Sequence, residues 1–249
     1  MARKVSSDAF IFKKENTTTN EYGEKHSYDE QPAYIQDTID SWNLKWFQNG
    51  LEHREKNLPS RILFLKGDDK KRPAYYADGV FKNKFHNEVE LEVIQESYKV
   101  FDVYHRTDGP AQINAKNGQL FNKLERKVTK NVTSFWSLYG LRLPESRFNL
   151  VINNAKQWKV PYWVSLFYTL KLLDLDTLKV LKNDKSLLEE SPIEWTLRAF
   201  GITFENFSGE PASENSYSVP FSEHHKKQFE KFLTVANYEQ QLTQKRVLA

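Results

Sequence analysis

Apolar and polar positions along the 249-residue chain follow two rhythms, and the change falls near residue 145. Before it, pairs of aromatic residues run into turn-forming dipeptides: Trp46-Phe47 precedes Asn49-Gly50, and Tyr75-Tyr76 precedes Asp78-Gly79. Asn-Gly and Asp-Gly tolerate positive φ at both turn positions, so each run predicts a tight antiparallel hairpin. Second turns around Lys56-Asn57 and Asp108-Gly109 lead into a proline and an apolar residue, so each period supplies two short strands. A lone hairpin is marginal in water, and stacking of consecutive units is the expected source of stability.

From Pro144 onward the punctuation is helical. Pro161 opens a segment in which Trp163, Phe167, Leu170 and Asp174 share one stripe while Leu166, Leu172 and Leu173 widen it, predicting a buried helix over 160–175. Leucines at 175, 178 and 181 predict the next helix. Ser191-Pro192-Ile193-Glu194 reads as a capping box with proline in the first turn, closed by Gly201. Ser222 is expected to cap a last helix with Phe229, Phe232, Leu233 and Ala236 inward and Lys226, Lys227 and Lys231 outward. The stretch 208–220, rich in Ser, Pro, Gly, Glu and Asn, reads as a loop.

The first half repeats. Segments 23–35 (GEKHSYDEQPAYI), 50–62 (GLEHREKNLPSRI) and 102–113 (DVYHRTDGPAQI) share a His, then a Pro, then an Ile. The shared positions are Gly23, His26 and Pro32, then Gly50, His53 and Pro59, then His105, Gly109 and Pro110. A worn copy carries Gly79, with Lys82 where the His would be, so the marker positions are separated by 27, 29 and 23 residues. These residues read as scaffold: each His is expected to pack across its hairpin and donate to a turn carbonyl. HRTDGPAQI, with the weaker HSYDEQPAYI and HREKNLPSRI, resembles the MORN-like repeat, with a core of roughly HR-x-DGPA, that recurs in proteins of tailed bacteriophages and giant viruses. FWSLYGLRL followed by PESRFNLVI resembles the way such arrays end, in an aromatic-Gly hairpin and a helix carrying a Phe. The resemblance covers roughly residues 20–145 and implies a β-repeat scaffold of phage or viral type, without an assigned chemistry.

The expected fold is therefore α+β: an N-terminal arm (1–19), a MORN-like antiparallel β-hairpin array (20–144) and a C-terminal all-α bundle (145–249). Composition narrows the function. No cysteine occurs, which removes disulfides, thiolate metal sites and cysteine nucleophiles and points to the cytoplasm, the host's if the protein is viral. No apolar run is long enough for a secretory signal or a bilayer span, so no membrane is expected. Only 9 glycines are present, with no GxxxxGK, GxGxxG, GxSxG or HExxH string, so neither a cofactor nor a small-molecule substrate is implied, and no enzyme.

Net charge is only +3, yet 116–143 holds Lys116, Lys123, Arg126, Lys127, Lys130 and Arg142 against Glu125, interleaved with Phe121, Phe135 and Trp136. Basic side chains among aromatics can hold phosphates and stack bases, which makes these the candidate nucleic-acid residues. His86, Glu88 and Glu90 would share one face of a strand, and His224-His225 adjoin on a helix. The first set reads as a solvated strand face and the second as helix neighbours that point different ways, and no metal is claimed. The leading expectation is a non-catalytic accessory scaffold binding a viral or host protein in the infected cell. A nucleic-acid-binding factor in replication or transcription is the alternative, and a virion component the third.

Overall fold

The computed structural model describes residues 10–11, 15–38, 41–65, 74–77, 80–82, 84–88, 93–115, 132–184, 192–203, 207 and 221–247. The architecture is α+β, antiparallel strands followed by helices. The chain divides into two units, residues 1–102 with 110–135 and residues 103–109 with 136–249.

The first unit is built on an antiparallel sheet of β2 (Glu15–Thr17), β3 (Tyr34–Asp37), β4 (Ser41–Lys45), β7 (Arg61–Leu65), β10 (Val93–Ser97), β13 (Gln112–Ala115) and the first residues of β14 (Val132–Leu138), in that order. Register places Ile35, Leu44 and Ile62 opposite one another, with Trp42 opposite Phe64 in the next row. Because side chains alternate across a strand, these residues share one face, and with Trp46 they form the core of the sheet. The other face carries Tyr34, Lys45, Arg61, Ser97, Gln112 and Phe135 in one cross-strand row, and Gln36, Asn43, Leu63, Gln95, Asn114 and Thr133 in the next.

Short hairpins project from the strand ends. β5 (Phe47–Gln48) and β6 (Leu51–Glu52) pair around Asn49-Gly50, both left-handed as the sequence predicts, at φ 47° and 80°. The second turn at Lys56-Asn57 is also left-handed. β11 (Lys99–Val100) runs into a turn that no sequence rule marks, Phe101-Asp102, again with both residues at positive φ. Left-handed backbone costs a side-chain-bearing residue about 1–2 kcal/mol. Asp102 offsets this by a reciprocal pair: its N–H donates to the Glu52 carbonyl at 2.9 Å, and its Oδ1 accepts the Glu52 N–H at 3.0 Å.

The worn repeat copy departs from the expected succession. β8 (Tyr75–Ala77) and β9 (Val80–Lys82) join β1 (Phe10–Ile11) in a separate three-stranded sheet, and β7 pairs directly with β10. Phe81 of β9 packs on the core face, 5.8 Å from Phe64 between ring centroids. Lys82 pairs with Tyr75 at the end of this hairpin, and Gly79 lies outside the described residues.

In the second unit β12 (Val103–Tyr104) precedes the HRTDG segment, and the end of β14 turns through Tyr139-Gly140 into β15 (Leu141–Leu143). Helices follow: α1 (Glu145–Trp158), α2 (Tyr162–Thr169), α3 (Leu175–Asn183), α4 (Ile193–Ala199) and α5 (Phe221–Val247). Phe148, the phenylalanine the repeat resemblance places in the helix, is buried in α1 against Trp136. The single helix expected over 160–175 is broken: α2 stops at Thr169, Lys171 turns left-handed, and Asp174 caps α3 by accepting the Thr177 N–H at 2.7 Å. An aspartate is worth more as a cap, where its oxygen satisfies an orphan N–H, than inside a helix. At α4 the cap position falls to Pro192 with no side-chain cap, one residue later than the serine reading, and Gly201 takes the left-handed position beyond its end. Trp163, Phe167, Phe207, Phe229 and Phe232 interlock as the aromatic core. α5 begins at Phe221, so Ser222 lies within it and is not its cap; Phe229, Phe232 and Ala236 face inward and Lys226, Lys227 and Lys231 outward, as their spacing predicts, while Leu233 is half-buried.

Candidate functional site: the histidine staples and the Glu239 latch

Each repeat histidine reaches the first turn residue of a later hairpin. His26 Nδ1 lies 2.9 Å from Asn49 Oδ1 and accepts the Asn49 N–H at 3.3 Å. The His53 ring stacks on Phe101, with centroids 4.4 Å apart and planes within 10°. His105 Nδ1 accepts the Tyr139 N–H at 3.1 Å. Beside each contact, the next turn residue donates its N–H to the carbonyl just before the histidine: Gly50 to Lys25, Asp102 to Glu52, Gly140 to Tyr104. At His26 the shorter contact of Nδ1 is with the Asn49 side-chain oxygen, an acceptor, and at His105 the imidazole accepts a turn N–H in place of the expected donation to a turn carbonyl. The reason is supply: a two-residue left-handed turn points an N–H outward, and a ring nitrogen is a ready acceptor.

The remaining motif positions are structural in the same sense. The small residue after each motif proline, Ala33, Ser60 or Ala111, is fully buried, and its carbonyl accepts the N–H of Thr18, Trp46 or Tyr98. Arg54 lies on the Trp46 ring, 4.0 Å from its centroid, and donates to the Pro59 carbonyl. Arg106 pairs with Asp108 at 2.6 Å and lies over Gly109, where a β-carbon would meet the guanidinium at 3.0 Å. A side chain at 109 would therefore displace the Arg106 guanidinium.

The third staple opens into a larger cluster. His105 Nε2 is 2.9 Å from Glu239 Oε1, and the Tyr139 hydroxyl donates to Glu239 Oε2. Since Nδ1 is occupied by the Tyr139 N–H, the ring carries its proton on Nε2 and donates it to the carboxylate. The Trp163 N–H, an orphan donor in the first turn of α2, is directed at the Tyr139 phenol. Burial, followed by the charge of Glu239, pushes the Tyr139 phenol well above its usual range. Tyr162 is raised too, by burial and the same carboxylate, against an opposing hydrogen bond to Thr107. A His–Glu–Tyr set has the composition of an acid–base relay, but here both ring nitrogens and the phenol are already engaged. Tyr139 is fully buried and His105 nearly so. The arrangement acts as a latch of α5 onto the Tyr139 turn.

Of the basic candidates, Lys116, Lys123, Arg126, Lys127 and Lys130 lie outside the described residues, and Arg142 is exposed on β15. His86 does not share a strand face with Glu88: it occupies a left-handed turn position at φ 65°, while Glu88 bridges to Lys82. Glu90 is outside the described residues. His225 is buried and its pKa lowered by that burial, with His224 adding to the effect; the two rings sit 6.2 Å apart. Among the described residues no group of three or more His, Asp or Glu could hold a metal ion, and no helix is long and apolar enough to cross a membrane.

Sequence reasoning passed over Glu239, although a signal existed. Phe229, Phe232, Ala236 and Glu239 recur at the spacing of one helix face, and an acid on an apolar stripe calls for a buried partner. It also passed over Lys25, Lys45 and Arg61, which are far apart in sequence. No family model, curated protein or solved structure matches the chain.

Proposed function

We propose that the chain is a non-catalytic interaction scaffold, an accessory protein of the phage or viral type that the MORN-like resemblance implies, whose partner is another protein. One observation carries the reading: Trp195 on α4 is 68% exposed while Ile193, Thr196 and Leu197 beside it are buried. A large ring held in water by a helix anchored through its neighbours is an interface anchor in form, since tryptophan is among the residues most enriched in binding hot spots. Leu175 and Val180 on α3 are also exposed apolar side chains of this unit. The titratable cluster supports the same reading, because its groups are consumed in holding α5 and the Tyr139 turn.

The test is affinity capture from cells that express the protein naturally, comparing the native chain with Trp195→Ala. A stoichiometric protein recovered by the native chain and lost with the variant supports the scaffold. Absence of a partner, or one indifferent to Trp195, contradicts it.

A further inference from the structure

The face of the first-unit sheet opposite its core holds cations that are paired with no carboxylate among the described residues. Lys45 and Arg61 are direct cross-strand partners, an arrangement in which like charges repel at close range. Lys25 and Lys45 share one aromatic surface, their ammonium nitrogens 4.5 and 5.7 Å from the Tyr34 centroid, and Lys25 is also 5.1 Å from that of Phe47. The nearby carboxylate, Glu52, is already engaged by Lys99 at 3.1 Å and the Ser60 hydroxyl at 3.0 Å. Among the described residues Lys25, Lys45 and Arg61 have no carboxylate partner; Arg61 donates through Nε to Asn43 Oδ1 at 2.8 Å. Burial, then the like charges of Arg61, Lys99 and Lys25, lowers the pKa of Lys45, with Glu52 opposing. Ser97, next to Arg61 in the same row, buries a hydroxyl with no hydrogen-bond partner. A fold gains nothing by gathering half-buried, mutually repelling cations unless an anion joins them.

The neighbouring row identifies the anion. Gln36, Gln95 and Asn114 run alongside the cations in a row that also holds Glu15, Leu63 and the buried Asn43, whose amide is taken up by Gln36 and Arg61, with Gln112 and Phe135 in the cation row itself. Amides both donate and accept, which suits base edges, and cations beside aromatic rings suit a phosphate backbone with unstacked bases. A sheet face roughly 30 Å across, at about 4.8 Å per strand, is too broad to enter a duplex groove. We propose that this face binds single-stranded nucleic acid, with phosphates at Lys25, Lys45 and Arg61 and bases over the amide row. The residues of this site are other than Trp195 and the basic residues of the run at 116–130.

The experiment is fluorescence anisotropy of the full chain with a labelled single-stranded oligonucleotide and with the same sequence as a duplex, across a salt series. The single strand is expected to bind more tightly, with log affinity falling linearly in log salt by about 0.7 per phosphate contact. Lys45→Gln with Arg61→Gln should weaken it by on the order of tenfold or more and flatten that slope, while Lys56→Gln, at an exposed pair with Glu30, changes neither. Circular dichroism of the double variant should be unchanged, with the relieved repulsion set against the lost Arg61–Asn43 bond in its melting temperature, and Lys25→Gln, which breaks no such bond, gives an independent variant. Binding lost by reversing Lys123, Arg126, Lys127 and Lys130 but not by the sheet variants would overturn the proposal. So would absent binding, or preference for the duplex, a polyglutamate peptide or anionic vesicles.

Discussion

His105 Nε2 donates to Glu239 Oε1 across 2.9 Å, joining residues 134 positions apart in the chain. The same carboxylate accepts the Tyr139 hydroxyl, so one side chain of α5 satisfies two buried donors. Replacing it leaves both without an acceptor, at about 1–3 kcal/mol each, discounted because the Glu239 side chain is 26% exposed. Glu239→Ala should therefore cost about 2–4 kcal/mol, read as a fall in denaturation midpoint, and Tyr139→Phe about half as much. A double-mutant cycle between the two should be strongly non-additive. Additive losses would mean that the latch does not act as a unit.

His53 makes stability depend on pH. Burial lowers its pKa to about 4, below the ordinary histidine value near 6.5, so between those values the unfolded chain binds a proton that the folded chain does not. Its contribution is complete above about pH 6.5 and is lost progressively as the pH falls to about 4, by up to roughly 3 kcal/mol. His53→Phe keeps a ring against Phe101 and removes the titration. Denaturation at pH 7, 5.5 and 4.5 should show a smaller loss in the variant than in the native chain; equal losses would show that His53 is not the titrating group.

Two left-handed glycines separate backbone strain from crowding. A β-carbon at Gly140 (φ 80°) would lie 3.1 Å from Val103 Cγ1, whereas at Gly201 (φ 70°) it meets nothing within 4 Å. Gly201→Ala should cost about 1–2 kcal/mol from conformation alone. Gly140→Ala should cost more, with the excess reduced by the further change Val103→Ala. Thermal melts of the three variants check the order.

Much of the fold was legible because its turns are written in local chemistry. Asn49-Gly50, Lys56-Asn57 and Tyr139-Gly140 adopt left-handed backbone, and the leucines of α3 and phenylalanines of α5 follow helix period. Most of the failures share a cause, namely that a distant contact decides the conformation, and Asp174 is the local exception. Phe101-Asp102 turns because His53 and Glu52 hold it, and nothing adjacent in the chain announces this. Asp174 resembles a helix-stripe position until its oxygen is needed to cap α3. The worn hairpin matches a repeat in spelling, yet β10 takes the place beside β7 that it would have filled. The candidate site divided likewise: the recurrence of the histidines was readable, but their partners required the strands to be in register.

The scaffold reading is tested most directly at Trp195. A photo-crosslinking amino acid placed there in the full chain, irradiated in the cells that make the protein, is expected to yield one discrete protein adduct. The same residue at Lys226, exposed on α5, is expected to yield none. No adduct at position 195, or the same adducts from both positions, would contradict the account.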